Sequence, residues 1–413
     1  MIVRGRERFE GEFAIPGDKS ITHRAVMLGG AACGETTVEG ALIAEDTLAT
    51  CRCMQALGAK IEVDGEIVRI RGTQEFLSGQ KLNCGNSATT MRLLAGLLSG
   101  RGVDATLFGD ASLSRRPMDR IVEPLLTLGA KVKSTEGHAP ILLSPSKLSG
   151  VYIKTEIPSA QVKSAILLAG LTADGKTTVD ENVKTRDHTE KMLADMGAKI
   201  AVDGNRVTVE KSELQAKNFQ VPADVSSAAY LMALGALKGE TLCKGVGVNP
   251  TRVGILKVFD EMQVDYRLLN CRRFGEEEVA DILVEKSSLK AIELGGERIP
   301  SLIDELPLIA LLCAFAEGES RIYGARELRV KESDRIKTTA QMIAALGGDC
   351  TETEDGFIIR GKKTLIGGRV DSGMDHRIAM TAAVGLAASK NGGEILRPEC
   401  VSVSFPNFFK TLS

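Results

Sequence analysis

The sequence of 413 residues contains no tryptophan, only 4 tyrosines and 4 histidines, and 4% aromatic residues overall. Stacking of bases on aromatic side chains is a common way to bind single-stranded nucleic acid, so this scarcity weakens the case for that function. Neither sign of charge is in excess, since 52 Lys plus Arg against 54 Asp plus Glu leave a net charge of −2. Dedicated binders of nucleic acid or of anionic membranes usually carry a basic surplus, and we expect neither partner.

Long apolar runs are also missing. The longest, Leu306–Ala316, is interrupted by Pro307 and is far shorter than the roughly 20 residues of a membrane span. The first residues contain no apolar segment of the kind found in secretory signal peptides. The 9 cysteines are scattered without paired metal-ligand spacing, so we expect free buried thiols in a reducing cytoplasm and no metal site.

Glycine, in contrast, is abundant at 43 residues, and much of it falls at repeated positions. The segments Leu57–Ile70 and Met196–Val209 share the pattern Gly-Ala-Lys-Ile-x-Val-Asp-Gly, with weaker copies beginning at Leu128 and Leu346 and a degenerate one at Met262–Tyr266. Each copy predicts a helix that ends at glycine and is followed by a β-hairpin. An Asp-Gly pair between alternating runs predicts a type I′ turn, in which both central residues have positive φ.

A second repeated element precedes these hairpins. It consists of an Ala/Leu-rich helix, a glycine and a short strand, with copies at residues 32–39, 173–180, 237–242 and 316–322. Together the elements form six units of roughly 65–85 residues, a period typical of repeat architectures. The sixth unit lacks its hairpin, and we expect the N-terminal segment Val3–Ile15 to supply the missing strands.

This count predicts two similar α/β domains of three units each, with a ligand cleft between them. The first would be discontinuous, residues 1–15 plus 223–413, and closed by both chain ends, whereas the second would comprise residues 16–222. A regular solenoid is the alternative. The chain lacks the distinct capping repeats that a solenoid needs at both ends, which argues against that alternative.

One motif is misleading. Gly170–Thr177 matches the phosphate-binding loop pattern G-x-x-x-x-G-K-[ST] at every fixed position. That loop works only where a strand precedes it and a helix follows it, because the helix N-terminus faces the phosphate. Here Ser164–Leu171 is predicted as helix and Thr177–Asp180 as strand. We therefore expect no ATP dependence from this segment.

Six segments combine hydroxyl, amide or glycine residues with Arg or Lys where helices are predicted to begin. They are Gly17–Arg24, Cys84–Arg92, Ser112–Met118, Pro158–Lys163, Lys331–Arg335 and Asp375–Arg377. Backbone N–H groups at a helix start, assisted by cationic side chains, bind anions. A single segment of this kind is more often a simple helix cap. Six at equivalent repeat positions indicate a strongly anionic set of substrates.

Two acidic positions accompany these cations, Asp304 before an apolar helix and Glu332 beside Lys331. A carboxylate among cations stays ionised and can accept a proton from a hydroxyl group, and Lys and Glu together can pass protons to carbon. The structural alternative is that each acid complements the dipole at a helix start.

The same segments resemble the 5-enolpyruvylshikimate-3-phosphate synthase family over essentially the whole chain. The resemblance is carried by the motifs at 18–20, 85–92, 112–118, 159–161, 224–229, 327–335 and 375–380. It implies an inside-out α/β barrel fold with two domains, each of three βαβαββ units. It also implies transfer of the enolpyruvyl group of phosphoenolpyruvate to the 5-hydroxyl of shikimate 3-phosphate, with release of phosphate, in the pathway to chorismate and the aromatic amino acids.

The resemblance also implies residue roles. Phosphoenolpyruvate would be bound by Lys19, Asn86, Ala88, Thr89, Arg116, Gln161, Arg335 and Arg377, with the two last arginines on its carboxylate. Shikimate 3-phosphate would be bound by Lys19, Ser20, Arg24, Ser159, Ala160, Gln161, Thr185, Asp304 and Lys331. The catalytic residues would be Asp304 as the acceptor of the 5-hydroxyl proton, Glu332 as the donor to the methylene carbon, and Lys19 and Lys331. No metal or organic cofactor is implied, and we expect a cytoplasmic monomer.

Four positions depart from the family pattern. Ala160 replaces a second serine, Glu327 an asparagine, and Val403 a lysine that some members direct toward the phosphate. Ala88 stands where glyphosate-sensitive members have glycine, so its methyl group would narrow the phosphoenolpyruvate pocket. We therefore expect reduced glyphosate sensitivity.

Two other functions compete with this assignment. The sister family transfers enolpyruvyl to UDP-N-acetylglucosamine, but it usually carries a loop cysteine that Ser112–Met118 lacks. A non-catalytic phosphate-binding repeat protein would show no turnover and would not need Asp304 or Glu332.

Overall fold

The computed structural model describes residues 1–413. The strands are β1 (Ile2–Val3), β2 (Phe9–Ala14), β3 (Glu35–Glu39), β4 (Lys60–Asp64), β5 (Ile67–Arg71), β6 (Gln80–Asn83), β7 (Ala105–Phe108), β8 (Lys131–Thr135), β9 (His138–Ser144), β10 (Tyr152–Thr155), β11 (Lys176–Glu181), β12 (Ile200–Asp203), β13 (Arg206–Glu210), β14 (Phe219–Gln220), β15 (Gly239–Gly247), β16 (Asp265–Phe274), β17 (Glu277–Glu285), β18 (Glu293–Leu294), β19 (Glu319–Ile322), β20 (Asp349–Glu352), β21 (Phe357–Arg360), β22 (Gly368–Asp371) and β23 (Gly393–Leu396). The helices are α1 (Lys19–Ala31), α2 (Glu45–Ala56), α3 (Ala88–Ser99), α4 (Asp119–Thr127), α5 (Ala160–Gly170), α6 (His188–Asp195), α7 (Val225–Lys238), α8 (Gly254–Met262), α9 (Leu306–Phe315), α10 (Arg335–Ala345), α11 (His376–Ala388) and α12 (Phe408–Leu412). No helix is long and apolar enough to cross a membrane.

The strands form six small sheets, five of four strands and one of three. One topology recurs in the four-stranded sheets: a parallel pair is extended by an antiparallel hairpin. In the sheet β6-β7-β9-β8, for example, β6 and β7 are parallel, and β9 pairs antiparallel with both β7 and β8. A parallel pair needs a crossover connection, which α3 provides between β6 and β7. The predicted α/β class is confirmed, and the number of sheets equals the number of predicted units.

The N-terminal segment differs from the prediction. Only β1 completes the sheet β1-β23-β22 of the sixth unit, called the sixth sheet below, in which it pairs antiparallel with β23. The longer strand β2 instead lies parallel to β15 in the sheet β16-β17-β15-β2, with Phe9 opposite Gly239 and Ala14 opposite Lys244. Alternation within Val3–Ile15 predicts strands but carries no information on their partners, because pairing between distant segments is decided by the tertiary fold.

The hairpins are present where the repeats predict them, but not every turn has the predicted type. Strands β4 and β5 end at the paired residues Asp64 and Ile67, so Gly65, with a φ of +57°, is the first central residue of the turn. Only this position has positive φ, and the predicted type I′ turn is therefore wrong here. In the turn between β8 and β9 both central residues, Glu136 and Gly137, have positive φ, as predicted.

The segment Gly170–Thr177, which matches the phosphate-binding loop pattern, has the predicted order of a helix followed by a strand. Helix α5 ends at Gly170 and strand β11 begins at Lys176, so the segment connects a helix to a strand. No helix N-terminus follows the Gly-Lys-Thr sequence, which means that the segment lacks the geometry of a phosphate-binding loop.

By the contacts of its Cα atoms the chain divides into two compact units. The central unit comprises Gly17–Val221 and Phe274–Glu276, and the terminal unit comprises Met1–Pro16, Pro222–Arg273 and Glu277–Ser413. Each unit has its own hydrophobic core. Helices α1, α3 and α5 in the central unit, and α7, α9 and α11 in the terminal unit, are buried along nearly their whole length. Helices that are apolar on all sides belong in a core, and polar groups collect at their ends.

Candidate active site

Five of the six predicted helix starts, and also the start of α7, are held by side-chain caps, whereas Ser112–Met118 leads into α4 without one. In the central unit the caps are Asp18 of α1, Ser87 of α3 and Ser159 of α5; in the terminal unit they are Asp224 of α7, Asp334 of α10 and Asp375 of α11. Each side-chain oxygen accepts a hydrogen bond from a backbone N–H group two or three residues further on. Such a cap fixes the first helical turn, which carries most of the predicted site residues.

The start of α1 presents two of the predicted cations. The Nζ atom of Lys19 lies 3.1 Å from Oδ2 of Asp46, and the lysine side chain is 18% exposed. Arg24 is buried one turn later, where its Nε donates to Oγ1 of Thr189 at 2.7 Å and its Nη2 donates to Oγ of Ser164 at 2.8 Å. Lys19 is therefore partly accessible to solvent, whereas hydrogen bonds to two hydroxyl groups fix the orientation of the buried Arg24 guanidinium.

Four predicted phosphoenolpyruvate residues meet around the starts of α3 and α5. Arg116 donates from Nη2 to Oδ1 of Asn86 at 2.5 Å, and Gln161 donates from Nε2 to Oγ1 of Thr89 at 2.9 Å. Arg92 joins them because its Nη1 donates to Oε1 of Gln161 at 2.6 Å. Three sequence-distant segments thus form one cluster of hydrogen-bond donors, which is the composition of an oxyanion site.

Residue 88 lies within this cluster. Ala88 is the first residue of α3 and is buried, directly after the cap Ser87. Its methyl group therefore occupies space at the helix start, next to Thr89.

Ser159 and Ala160 begin α5, whereas Thr185 lies in the loop before α6. The buried Thr185 hydroxyl donates to the carboxylate of Glu181, which also accepts from Nζ of Lys163 at 2.8 Å. The structure thus gives Thr185 a carboxylate partner, and its role as a phosphate ligand stays a prediction.

In the terminal unit the acids gather around Arg335, the first residue of α10. Its Nη2 lies 2.6 Å from Oε2 of Glu332, its Nε 2.8 Å from Oδ2 of Asp375, and its Nη1 3.6 Å from Oδ1 of Asp304. The Asp375 side chain is fully buried, whereas the side chains of Asp304 and Glu332 are each 19% exposed. The two predicted proton-transfer residues therefore share one arginine.

A second arginine faces Asp304. Arg377 Nη2 lies 3.9 Å from Oδ2 of Asp304, and its Nη1 lies 3.9 Å from Oε1 of the buried Glu305. Tyr230 and the neighbouring carboxylates raise the pKa of Arg377, although burial opposes them as the largest influence. The guanidinium therefore stays charged beside the acid.

Lys331 completes the cluster. Burial lowers the pKa of Lys331 and Arg335 adds to this effect, while Asp304, Glu332 and Glu327 oppose it. A lysine with a lowered pKa can exchange a proton closer to neutral pH than a solvated one. Glu327, one of the departures from the family pattern, is half-buried and thus contributes to the electrostatics of this lysine.

Three side chains of these clusters are absent from the predicted substrate-binding and catalytic residues, although Arg92 belongs to a predicted anion-binding segment. Asp46 pairs with Lys19, Arg92 holds Gln161, and Nη1 of Arg186 lies 3.4 Å from Oγ of Ser20. Arg92 is three residues after Thr89 on the same helix, so helical spacing could have shown their common face. Nothing local points to Asp46, which has the sequence signature of an ordinary acid in the first turn of a helix.

No group of three or more His, Cys, Asp or Glu side chains is arranged to hold a metal ion. All nine cysteines are free, but Cys33 and Cys271 are exposed and Cys350 is partly exposed. The prediction of buried thiols is therefore wrong at those positions.

Known proteins share this sequence and fold. A profile of the EPSP synthase family (3-phosphoshikimate 1-carboxyvinyltransferase) matches residues 3–412. A 3-phosphoshikimate 1-carboxyvinyltransferase of Thermoanaerobacter sp. is 46% identical over 415 residues, which covers 99% of this chain and 98% of the relative. The relative from Synechococcus elongatus is 46% identical, covering 97% of this chain and 92% of the relative.

Solved structures agree with the sequence relatives. The structure of an EPSP synthase from Acinetobacter baumannii has a TM-score of 0.87 and 41% identity, covering 99% of this chain and 96% of that one. The enolpyruvyl transferase NikO from Streptomyces tendae has a TM-score of 0.79 at 18% identity, covering 99% and 95% of the two chains, a likeness of fold alone. The resemblance noted from the sequence motifs is confirmed, and the chain belongs to the EPSP synthase family, the 3-phosphoshikimate 1-carboxyvinyltransferases of the shikimate pathway.

Proposed function

We propose that the two compact units divide the work of the reaction, the central unit binding phosphate groups and the terminal unit moving protons. The substrates are phosphoenolpyruvate and shikimate 3-phosphate, as the family implies. We further propose two domains of three repeats each, residues 1–15 plus 223–413 and residues 16–222.

In the central unit, Lys19, Arg116 and Gln161 bind the phosphate of phosphoenolpyruvate. The proposal is supported by the donor cluster around Gln161, in which Arg116 and Arg92 are held by oxygen atoms at 2.5 to 2.6 Å. Ser159 and Gln161 bind the 3-phosphate, and Ser20 and Arg24 bind the shikimate ring and its carboxylate. Ala160 supplies no hydroxyl group to the 3-phosphate. Arg186, which lies beside Ser20, is a further cation near the residues that bind shikimate 3-phosphate.

In the terminal unit, Arg335 and Arg377 bind the carboxylate of phosphoenolpyruvate. The oxygen of the 5-hydroxyl bonds to C2 of phosphoenolpyruvate, its proton passes to Asp304, and C3 takes a proton from Glu332. The resulting tetrahedral ketal phosphate loses phosphate when its bond from C2 to the phosphate oxygen breaks and the new methyl group returns a proton. Fixed arginines stabilise the charges that develop, because they need not reorganise during the reaction.

A single observation carries the assignment of Asp304. Its two carboxylate oxygens lie 3.6 and 3.9 Å from nitrogen atoms of Arg335 and Arg377. Neighbouring cations favour the ionised form of a carboxylate, the form that can accept a proton.

Phosphate release in the presence of both substrates tests this role. We expect Asp304→Ala and Asp304→Asn to lower kcat by about 10²–10⁴-fold, the usual contribution of a general acid or base. The exposed Asp265 on β16 of the same unit offers a matched control, and Asp265→Asn should retain wild-type kcat. A wild-type kcat in Asp304→Asn would disprove the role of the carboxylate as a base.

The same assay separates the alternatives. The sister reaction would release phosphate with UDP-N-acetylglucosamine in place of shikimate 3-phosphate, and a non-catalytic binding protein would release none with either acceptor. We expect release only with shikimate 3-phosphate.

A further inference from the structure

The central unit contains a cavity of about 350 Å³ that the reaction does not use. It lies against helix α6 and the hairpin of β12 and β13. None of the residues predicted to bind either substrate lines it. A volume of this size accommodates a small organic molecule.

A buried charge cluster lines part of the cavity. Nζ of Lys163 lies 2.8 Å from Oε2 of Glu181 and 2.7 Å from Oε1 of Glu190, and all three side chains are at least 96% buried. Two carboxylates share one ammonium group, so the cluster carries one uncompensated negative charge when both acids are ionised. Buried charges without a partner are costly, and a bound cation would remove that cost.

One carboxylate oxygen of Glu190 lacks a hydrogen-bond partner. Its Oε1 binds Lys163, but its Oε2 is buried and has no hydrogen-bond partner. Nearly all buried polar atoms in folded proteins are paired, so an unpaired carboxylate oxygen beside a cavity indicates an absent donor. Burial also raises the pKa of Glu190 above its ordinary value, an effect that a cationic ligand would reverse.

The remaining lining favours an organic ligand over a bare ion. Ile200, Val202 and Val207 form an apolar wall, and Val202 is 53% exposed although it is hydrophobic. Acidic residues outnumber lysines in the lining, which favours a ligand with net positive charge or with an accessible ammonium group.

We propose that this cavity binds a small organic molecule with a primary ammonium group held by Glu190 and an apolar body packed on Ile200, Val202 and Val207. Simple amines and apolar α-amino acids share this chemistry. An amino acid would add a carboxylate, for which Lys184 in the cavity lining is the nearest chemical match.

Calorimetric titration of the full chain without substrates tests the proposal, with phenethylamine and phenylalanine as probes and KCl at equal ionic strength as reference. We expect at least one probe to bind. Tighter binding of phenylalanine would identify an amino-acid site, and tighter binding of phenethylamine would identify an amine site. Heat changes no larger than with KCl for both probes would overturn the proposal.

Two variants locate the binding. Glu190→Gln should weaken it roughly tenfold or more, because a charge-assisted hydrogen bond is lost. Ala194→Phe adds a ring to an exposed position of the cavity lining and should abolish binding without altering any charge. Ala201→Phe is the matched control, since side chains alternate along β12 and Ala201 does not line the cavity. Unchanged binding in a folded Ala194→Phe variant would contradict the proposed site.

Discussion

The buried arginines of the two units have different partners. In the central unit Arg24, Arg92 and Arg116 donate to oxygen atoms of hydroxyl, amide and carbonyl groups, such as Oγ1 of Thr189 and Oδ1 of Asn86. In the terminal unit Arg335, Arg377 and Arg252 lie against carboxylates. Among the predicted substrate-binding cations of the central unit, Lys19 departs from this pattern because it pairs with Asp46.

This contrast matches the two halves of the chemistry. A hydrogen bond to a neutral oxygen orients a guanidinium group without cancelling its charge, which suits the recognition of phosphate dianions. Arginines paired with carboxylates form a nearly neutral cluster that holds the acids close to each other and favours the ionised form of Asp304, in which it can accept a proton. The net charge of −2 therefore conceals a cationic set in one unit and a balanced set in the other.

The largest expected effect concerns stability. Arg335→Met should lower the free energy of unfolding by about 3–5 kcal/mol, because it removes the arginine that pairs with the fully buried Asp375 and with Glu332. Arg116→Met should cost less, about 1–3 kcal/mol, since it removes hydrogen bonds to the neutral side chains of Asn86 and Ser112. Urea denaturation followed by circular dichroism measures both. Arg397→Met, which removes a half-exposed surface pair with Asp371, is the control and should cost about 0–1 kcal/mol. Equal losses for Arg335 and Arg116 would break the contrast between the units.

The next effect is on the pH profile. Burial lowers the pKa of Lys331 below its ordinary value of 10.5. If the charged ammonium is needed, kcat should fall as the pH rises through this lowered value, so the alkaline limb should lie below pH 10.5. Lys331→Arg keeps the charge at alkaline pH and should move the limb upward in a pH series of kcat. The exposed Lys337 on α10 provides the control, Lys337→Arg, with an unchanged profile. A limb that stays in place in Lys331→Arg would assign it to another group.

A smaller effect concerns the shape of the central unit's site. Ala88→Gly removes the methyl group at the start of α3 and should lower the inhibition constant of glyphosate roughly tenfold or more, the usual discrimination of a single methyl group in a tight pocket. Steady-state inhibition against phosphoenolpyruvate measures the change, and Ala201→Gly on the exposed strand β12 is the control. An unchanged inhibition constant would show that residue 88 does not narrow the pocket.

The smallest effect compares the thiols of the two units. Each unit has one exposed cysteine, Cys33 in the central and Cys271 in the terminal unit, and both should react rapidly with Ellman's reagent. Burial raises the pKa of Cys51 to about 11 and those of Cys243 and Cys313 to about 12, so these thiols stay protonated and unreactive. The double variant Cys33→Ser/Cys271→Ser should lose the rapid phase. A rapid phase that persists would come either from the partly exposed Cys350 or from local opening around a buried thiol.

Features encoded by neighbouring residues could be predicted from the sequence. Asp18, Ser87 and Ser159 cap helices at the predicted starts because a cap involves only residues two or three positions apart. The hairpins follow from alternation and a central glycine. These local rules located nearly all the residues that the structure gathers into clusters.

Features that depend on distant segments could not be predicted. The partner of β2 is β15, more than two hundred residues further on, and no local pattern distinguishes it from other strands. The same holds for the pair of Lys19 with Asp46 and for the bond between Arg92 and Gln161. The turn at Gly65 differs from prediction because a shift of one position in strand pairing changes which residues are central.

Strands β1 and β2 lie in different sheets, and this affects the order in which the chain folds during synthesis. The central unit uses residues 17–221 almost without interruption, so it can fold while the rest of the chain is still being made. Strand β2, in contrast, has no partner until residues 239–247 emerge, and β1 has none until residues 393–396 are complete. Strands β1 and β2 therefore pair only after much later segments of the chain have been made. A chain that stops before residue 393 would therefore leave the sixth sheet unformed, although its central unit could already be folded.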